Sequence, residues 1–216
     1  MKIGVFDSGI GGKSVANAIQ AAMPELTVVF RPDTPDHFPY ATKSPDEIYG
    51  FVVPVIDQLI AEGCALVVIA CNTVSTTLID RLRERFSTPL IAVEPMVKQA
   101  AEQTKTGIIT VCATPTTLAS TRYADLKASF AQDITVIEPD CSDWSSLIER
   151  NEMNVNNIRK TLEQSLVSGS DVIVLGCTHY HWIEEDIHHL AGNNIVILQP
   201  ESDIIAEIKR VTVQPA

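Results

Sequence analysis

Short apolar runs alternate with longer amphipathic stretches along this 216-residue chain, and this alternation restricts its fold more than any other feature. The short runs are typical of buried strands, and the stretches between them are typical of helices. Strands are predicted over residues 2–6, 27–30, 65–70, 90–93, 107–111, 134–138, 171–176 and 195–198. Helices are predicted over residues 12–23, 46–62, 72–85, 117–130 and 153–168, with a short helix after the last strand. Such an order favours parallel sheets with helices on both faces.

The alternation begins again after Pro89, which predicts two lobes of similar topology. The chain is long enough for two lobes of about 100 residues each. The first lobe is predicted to contain residues 1–94 together with about 197–216, and the second residues 95–196. The expected fold class is α/β, with each lobe a mostly parallel sheet flanked by helices and the active site in the cleft between the lobes.

The balance of charges argues against two classes of partner. The net charge is -11 and the pI is near 4.8, whereas nucleic acids and anionic membranes attract basic patches. No nucleic-acid or membrane partner is therefore expected, although backbone amides can still bind a small anion. The sequence also lacks an apolar run of about 18 residues and the apolar region of a signal peptide, so a cytoplasmic location is expected.

Five cysteines are spread widely along the chain, at positions 64, 71, 112, 141 and 177. Their odd number and the lack of a CxxC pair argue against a disulfide framework and against a structural zinc site. In a cytoplasmic protein they are expected to be free thiols. Cys64, Cys112 and Cys141 stand in unrelated contexts and are interpreted as inert.

Cys71 and Cys177, in contrast, stand in matching contexts, ALVVIACNT at residues 65–73 and DVIVLGCTH at residues 171–179. Each cysteine follows a predicted buried strand and precedes a predicted helix. The carboxyl ends of parallel strands are where α/β folds bind ligands, and a helix N-terminus favours a thiolate there. If the two lobes face each other, the two sulfurs can face each other across one cleft.

Two opposed thiols suit the inversion of a stereocentre. One thiolate removes a proton from one face of a carbon, the other thiol returns a proton to the opposite face, and the two exchange roles in the reverse direction. The alternative is that both cysteines are small core residues, since free cysteine is commonly buried. A redox pair is disfavoured, because a disulfide needs Cα atoms within about 7 Å of each other.

Several motifs occur in the order found in one enzyme family: FDSGIGG (6–12), FPYATKS (38–44), IACNTVS (69–75), TPTTLASTRY (114–123), DCSDWSSLIERNEM (140–153) and LGCTHY (175–180). Through them the chain, from residue 3 to about residue 207, resembles the glutamate racemases of the cofactor-independent aspartate/glutamate racemase superfamily. It departs from the family pattern at Ala41, where a glycine is usual, and at His181, where a proline is usual. A methyl group at Ala41 could crowd a substrate that approaches the backbone closely.

The resemblance implies roles for residues of both lobes. Cys71 and Cys177 are implied to be the acid/base thiols. Asp7 and His179 are implied to assist proton transfer, each on its own side. The residues implied to bind substrate are Ser8, Pro39, Tyr40, Ala41, Asn72, Thr73, Thr114, Thr117, Glu149 and Thr178. Neither pyridoxal phosphate nor any other cofactor or metal is implied, and the chain is expected to form a homodimer.

The function implied by the resemblance is the interconversion of L- and D-glutamate, which would supply D-glutamate for peptidoglycan. One alternative is a racemase for aspartate or another amino acid, because packing discriminates weakly between side chains that differ by one methylene. A second alternative is a non-catalytic relative that binds an acidic amino acid or a protein partner. Exchange of the substrate α-proton would separate an enzyme from such a binding protein.

Overall fold

Two α/β units account for residues 1–192 and 194–213, the part of the chain that the computed structural model describes. The first unit contains Met1–Val93 and the segment that starts at Pro200. The second unit contains Glu94–Gln199. The second unit is therefore inserted, as one continuous stretch of sequence, into the first.

The described residues form eight strands and ten α-helices. The strands are β1 (Lys2–Asp7), β2 (Thr27–Pro32), β3 (Leu66–Ile69), β4 (Leu90–Ala92), β5 (Ile108–Ala113), β6 (Thr135–Ile137), β7 (Val172–Gly176) and β8 (Val196–Leu198). The α-helices are α1 (Lys13–Ala22), α2 (Pro45–Ala61), α3 (Asn72–Arg85), α4 (Val97–Gln103), α5 (Pro115–Leu118), α6 (Thr121–Phe130), α7 (Trp144–Glu149), α8 (Val155–Val167), α9 (Glu184–Ala191) and α10 (Glu201–Val213). Short 3-10 helices are formed by Pro35–His37, Tyr40–Thr42 and Thr178–Ile183.

Each unit contains one four-stranded sheet, and the two sheets have the same order of strands. The order is β2-β1-β3-β4 in the first sheet and β6-β5-β7-β8 in the second. Every pair of neighbouring strands is parallel, with Phe6 opposite Ile69 in the first sheet and Ala113 opposite Gly176 in the second. The predicted fold class, two similar α/β lobes with parallel sheets flanked by helices, is confirmed.

Both faces of each sheet are covered by helices, as the near-continuous apolar strands predict. Successive side chains of a strand point to opposite faces. In β3, Val67 and Ile69 lie in one apolar cluster with residues of α2 and α3, whereas Leu66 and Val68 lie in another with residues of α1 and α10. The strands of the second sheet are shared between two clusters in the same way. No helix in the described part of the chain is both long enough and apolar enough to cross a bilayer.

Two of the predicted elements differ in the structure, and α4 lies in a stretch where no helix was predicted. The helix predicted over residues 117–130 is divided into α5 and α6, because the Ser120 hydroxyl accepts a hydrogen bond from the Tyr123 backbone N–H at 3.2 Å and starts a new helix. Cys177 precedes a 3-10 helix rather than the predicted α-helix. The α-helix begins only at Glu184, where three acidic residues occupy the first turn and favour a helix N-terminus.

Asp171 joins two segments of chain at the amino edge of the second sheet. Its carboxylate accepts hydrogen bonds from Thr104 Oγ1 at 2.6 Å and from the Lys105 backbone N–H at 2.7 Å. It also accepts from the backbone N–H and the hydroxyl of Thr106. Desolvation raises the pKa of Asp171, but the hydrogen bonds together outweigh it, so the pKa lies below its ordinary value. The ionised carboxylate therefore stabilises the start of β5 beside β7.

Replacing Asp171 by asparagine should lower the free energy of unfolding at neutral pH and weaken its pH dependence in acid. A native pKa below the unfolded value of about 3.9 contributes stability that is present above that value and is lost as the pH falls through the native pKa. Urea denaturation of wild type and Asp171→Asn, at neutral pH and below about pH 3, measures both effects. Asp125→Asn, at an exposed position of α6, is the matched control. A difference between wild type and Asp171→Asn that is equally large at both pH values would contradict this account.

Candidate active site

The carboxyl ends of β1 and β3 bring the first group of predicted site residues together. Asp7 is the last residue of β1, Ser8 follows it, and Cys71 lies just beyond β3. The Ala70 backbone N–H donates to the Phe6 carbonyl at 2.8 Å, which continues the pairing of the two strands to this edge. Cys71 Sγ donates to Ser8 Oγ at 3.3 Å, and both residues are buried. The first predicted thiol therefore lies in direct contact with a predicted substrate-binding hydroxyl.

Asp7 is fully buried, and close packing fixes its position. Its carboxylate accepts a hydrogen bond from the Gly9 backbone N–H at 3.2 Å. A Cβ atom added to Gly12 would lie 2.5 Å from Asp7 Cβ, a distance that real Cβ contacts do not show. The turn between β1 and α1 therefore requires glycine at position 12, because the backbone passes directly against Asp7.

Asn72 opens α3 immediately after Cys71 and buries its side-chain amide. Neither Oδ1 nor Nδ2 hydrogen-bonds to another described residue, although both atoms are buried. The Asn72 carbonyl accepts from Thr76 Oγ1 at 2.9 Å, so the backbone is held while the amide is not. A buried amide without partners costs roughly 1–3 kcal/mol, which suits this amide to a polar ligand group. Thr73, the next predicted binding residue, is also buried in the first turn of α3, where backbone N–H groups favour an anion.

The predicted binding segment around Tyr40 belongs to the same unit. Pro39 follows a cis peptide bond, and Tyr40 and Ala41 begin a 3-10 helix. Tyr40 is buried, and its hydroxyl donates to Asp33 Oδ2 at 2.5 Å. Burial, and then the hydrogen bond to Asp33, raise the pKa of Tyr40 well above its ordinary value. Tyr40 therefore remains a neutral phenol that donates a hydrogen bond.

The second group of predicted residues lies at the carboxyl ends of β5 and β7. Thr114 follows β5 and Cys177 follows β7. Cys177 Sγ lies 3.8 Å from His179 Nδ1, and His179 Nε2 lies 2.6 Å from Glu149 Oε2 at the end of α7. Nδ1 is the nitrogen that faces the sulfur. When Nε2–H donates to the carboxylate, Nδ1 of a neutral imidazole is the unprotonated nitrogen. This geometry can pass a proton between Cys177 and His179.

Three threonines of the second unit are also predicted to bind substrate. Thr114 caps α5, since its Oγ1 accepts from the Thr117 backbone N–H at 3.3 Å and donates to Thr117 Oγ1 at 3.0 Å. Thr178 follows Cys177 directly, and all three threonines are buried. These hydroxyls lie at the same edge of the sheet as Cys177 or hold the backbone there, and their contact with a ligand stays a prediction.

The other cysteines are buried free thiols. Cys112 and Cys141 lie in the same apolar cluster as Cys177. A hydrogen bond with Cys112, together with burial, raises the pKa of the Cys141 thiol, and burial raises the pKa of the Cys64 thiol. Cys64 and Cys141 are therefore held in their neutral form. Across the described ranges, the His, Cys, Asp and Glu side chains form no group that could hold a metal ion.

Asp33 and His37 are two polar residues of the first unit that the sequence prediction missed. Asp33 follows β2 and accepts hydrogen bonds from both His37 and Tyr40. Since β2 pairs in parallel with β1, Asp33 lies at the same edge of the sheet as Asp7. The signal in the sequence was weak, because Asp33 stands three residues beyond the strand predicted over residues 27–30, and only the longer observed β2 brings it directly to the strand end.

Comparison with known proteins identifies the family. The sequence profile of the Asp/Glu/Hydantoin racemase family matches residues 12–200. The glutamate racemase of Herpetosiphon aurantiacus is 35% identical over 213 residues, which cover 97% of this chain and 84% of the relative. The glutamate racemase of Ralstonia pickettii is 37% identical over 200 residues, which cover 91% of this chain and 71% of the relative. The chain belongs to the Asp/Glu/Hydantoin racemase family.

Solved structures show the same relationship. Escherichia coli glutamate racemase, in complex with L-glutamate and the activator UDP-MurNAc-ala, matches with a TM-score of 0.91 and 29% identity, covering 100% of this chain and 83% of that chain. Francisella tularensis glutamate racemase, in complex with D-glutamate, matches with a TM-score of 0.79 and 26% identity, covering 98% of this chain and 81% of that chain. Picrophilus torridus aspartate racemase shares the fold, with a TM-score of 0.61 and 16% identity. The match covers 97% of this chain and 93% of that chain.

Gly12→Ala should destabilise the protein by about 1–3 kcal/mol, because the new methyl group must displace either Asp7 or the start of α1. Urea denaturation measures the change in the free energy of unfolding. Gly50→Ala is the matched control, since a Cβ atom at this position inside α2 meets nothing within 4 Å. The control should be neutral or stabilising by up to about 1 kcal/mol. A Gly12→Ala variant as stable as Gly50→Ala would contradict the close packing described for Asp7.

Proposed function

We propose that the chain is an isomerase, a glutamate racemase that interconverts L- and D-glutamate without a cofactor. The curated relatives with this name are 35% and 37% identical over most of the chain. The observation that carries the proposed mechanism is the repeated placement of one cysteine after the third strand of each unit, Cys71 after β3 and Cys177 after β7. Each thiol has a polar partner of its own, and one thiol would remove the α-proton while the other returns a proton.

On the Cys177 side, His179 is proposed to manage the proton of the thiol. Neutral His179 can accept it at Nδ1, 3.8 Å from the sulfur, and leave a thiolate. The Glu149 carboxylate at 2.6 Å from Nε2 would then stabilise the imidazolium. The thiolate is the base that attacks the α-proton, and the thiol is the acid that returns one.

On the Cys71 side, a hydroxyl takes the place of the imidazole. The Cys71 thiol donates to Ser8, the residue that follows the buried Asp7. We propose that the Asp7 carboxylate assists proton transfer on this side. The positive end of the α3 macrodipole, beside Cys71, supports negative charge on the sulfur.

The substrate carboxylates are proposed to be bound by buried amide and hydroxyl donors. The α-proton of an amino acid is a very weak acid, so the charge that develops on removal of this proton must be stabilised by fixed hydrogen-bond donors. The Asn72 amide is the strongest candidate, because its buried atoms bond to no described residue. The further candidates are Ser8, Thr73, Thr114, Thr117 and Thr178, with the segment Pro39–Ala41.

D-Glutamate made by the chain is proposed to supply peptidoglycan synthesis, and with it cell-wall formation and cell shape, in the cytoplasm. Buried free cysteines suit a reducing compartment. The acidic balance of the chain, with a net charge of -11, is compatible with a small anionic substrate because recognition depends on local donors. The expected homodimer stays a prediction, which light scattering on the purified protein would test.

In D2O, wild-type protein acting on L-glutamate should place deuterium in the D-glutamate product while the remaining L-glutamate keeps its α-proton. This follows because one thiol removes the proton and the other supplies a solvent deuteron. Cys71→Ala and Cys177→Ala should each lower racemisation by at least about a hundredfold. Each variant should still exchange the α-proton of one enantiomer, and the two variants should act on opposite enantiomers. Proton NMR together with circular dichroism of the amino acid measures exchange and inversion separately.

Cys64→Ala is the control for this experiment, because Cys64 is a buried thiol before the start of β3, whereas Cys71 lies beyond the end of that strand. L-Aspartate is assayed in parallel. Turnover of aspartate without turnover of glutamate would assign a different substrate. Ligand-induced stabilisation without any α-proton exchange would contradict an enzymatic function. If both cysteine variants failed to exchange the α-proton of the same enantiomer, two separate bases would be contradicted.

Glu149→Gln should lower kcat by about tenfold or more with little change in KM, because a neutral amide cannot stabilise the imidazolium of His179. The two enantiomers of glutamate are equally stable in water, so kcat/KM must fall by the same factor in both directions. Initial rates from L- and from D-glutamate test both statements. Glu152→Gln, at an exposed position nearby, is the control. Unchanged kcat in Glu149→Gln would remove this carboxylate from the mechanism.

A further inference from the structure

Three side chains of the first unit, His37, Asp33 and Tyr40, form a connected chain of hydrogen bonds. His37 Nδ1 lies 3.0 Å from Asp33 Oδ1 and 2.9 Å from Asp33 Oδ2. The Tyr40 hydroxyl lies 2.5 Å from the same Oδ2. One carboxylate therefore accepts from an imidazole on one side and from a phenol on the other.

The Asp33 carboxylate depends on these donors. The Asp33 side chain is 2% exposed, whereas the His37 side chain is 33% exposed. A buried carboxylate is costly unless hydrogen bonds replace its hydration. The Asp33 backbone N–H also donates to the Asp7 carbonyl at 2.9 Å, so the residue is anchored at the end of the sheet. Because the backbone is fixed, the direction of the carboxylate is left to His37 and Tyr40.

His37 is itself held against a rigid element. Its ring stacks on Phe51 of α2, with the ring centroids 3.8 Å apart and the planes 14° from parallel. The stacking leaves Nδ1 directed at Asp33, where it donates an N–H to the carboxylate. His37 therefore links the side of α2 to the edge of the sheet.

The hydrogen-bonded chain adjoins the Cys71 group through the backbone, because Asp33 donates to the Asp7 carbonyl and the next residue, Ser8, accepts from Cys71 Sγ. Tyr40 and Cys71 belong to the same apolar cluster. Burial, Asp33 and then the negative charges of Cys71 and Asp7 raise the pKa of Tyr40, which agrees with this proximity. A displacement of Tyr40 would therefore change the surroundings of Cys71.

We propose that His37 is a positioning residue for the Cys71 group: it holds the Asp33 carboxylate, which in turn holds Tyr40 and the segment Pro39–Ala41. The side chain of His37 acts through Asp33 and Phe51, and neither is a proposed acid/base or substrate-binding group. Its effect on turnover rests on the proposed racemase function, but its effect on the surroundings of Cys71 does not. The two effects can therefore be measured separately.

Two substitutions separate the donor of His37 from its ring. His37→Phe keeps an aromatic ring that can stack on Phe51 and removes the N–H that reaches Asp33. His37→Asn removes the ring and keeps an N–H donor near the position of Nδ1. A role in packing alone would make His37→Asn the more harmful variant, whereas a positioning role through Asp33 makes His37→Phe the more harmful one.

We expect His37→Phe to lower kcat/KM for glutamate by about tenfold, and His37→Asn to stay within about threefold of wild type. Both variants should still fold, because Asp33 keeps the Tyr40 hydroxyl as a donor and water can reach the partly exposed position of His37. In a Tyr40→Phe background, which lacks the phenol hydroxyl, His37→Phe should cause little further loss, since the two residues act through one carboxylate. Wild-type kcat/KM in His37→Phe, or a loss in His37→Asn as large as that in His37→Phe, would overturn the proposal.

Alkylation by iodoacetamide, followed by mass spectrometry of the peptide that contains Cys71, gives a readout that needs no turnover. His37→Phe should speed alkylation of Cys71 by at least about threefold, because release of Tyr40 opens the cluster around the sulfur. Cys177, in the other unit, is the internal control and should react at the wild-type rate. If wild type leaves glutamate unchanged, the proposed function fails while alkylation still decides this inference. Equal Cys71 rates in wild type and His37→Phe would then overturn the inference by themselves.

Discussion

Parallel pairing of β1 with β3, and of β5 with β7, determines which polar residues meet in each unit. The registers place Phe6 opposite Ile69 and Ala113 opposite Gly176, so the strands of each pair end together and the residues that follow them come within reach. The second pairing is close at Gly176, because a Cβ atom there would lie 3.0 Å from the Ala113 Cβ atom, tighter than ordinary contact by a few tenths of an ångström. The positions of Cys71 and Cys177 follow from these two registers, and each thiol acquires its partners from the same edge of its own sheet.

The pattern of apolar runs was enough to predict the fold. Strands buried on both faces and amphipathic helices each leave a local pattern in the sequence, and the packing in each unit stabilises the same elements. Elements set by particular contacts were harder to predict. The division between α5 and α6 follows from one hydroxyl of Ser120, and the 3-10 helix after Cys177 has no strong periodicity. Candidate site residues next to strand ends could be inferred from the residues themselves. The contact between His179 and Glu149 joins distant parts of the chain, so only the family resemblance pointed to Glu149.

The two groups of site residues are chemically unequal, although the proposed reaction interconverts two molecules of equal free energy. Cys71 is hydrogen-bonded to a hydroxyl, whereas Cys177 lies beside an imidazole that is hydrogen-bonded to a carboxylate. Equal energies of substrate and product fix the ratio of the overall rate constants, but they do not require equal barriers on the two sides of a carbanion-like state. Two dissimilar bases are therefore compatible with a racemase, and the slower proton transfer can belong to either side.

The insertion of the second unit into the first determines which unit can finish folding first while the protein is being synthesised. Ile204 and Ile208 of α10 are buried in the cluster that contains Ile3 and Val5 of β1. A ribosome completes the second unit, Glu94–Gln199, before it makes this helix. The first strand to emerge therefore waits for nearly the last helix. The part of this face that α10 covers, beside α1, stays open to water, or to a chaperone, for most of translation. The unit whose cysteine is made first is the unit that finishes folding last.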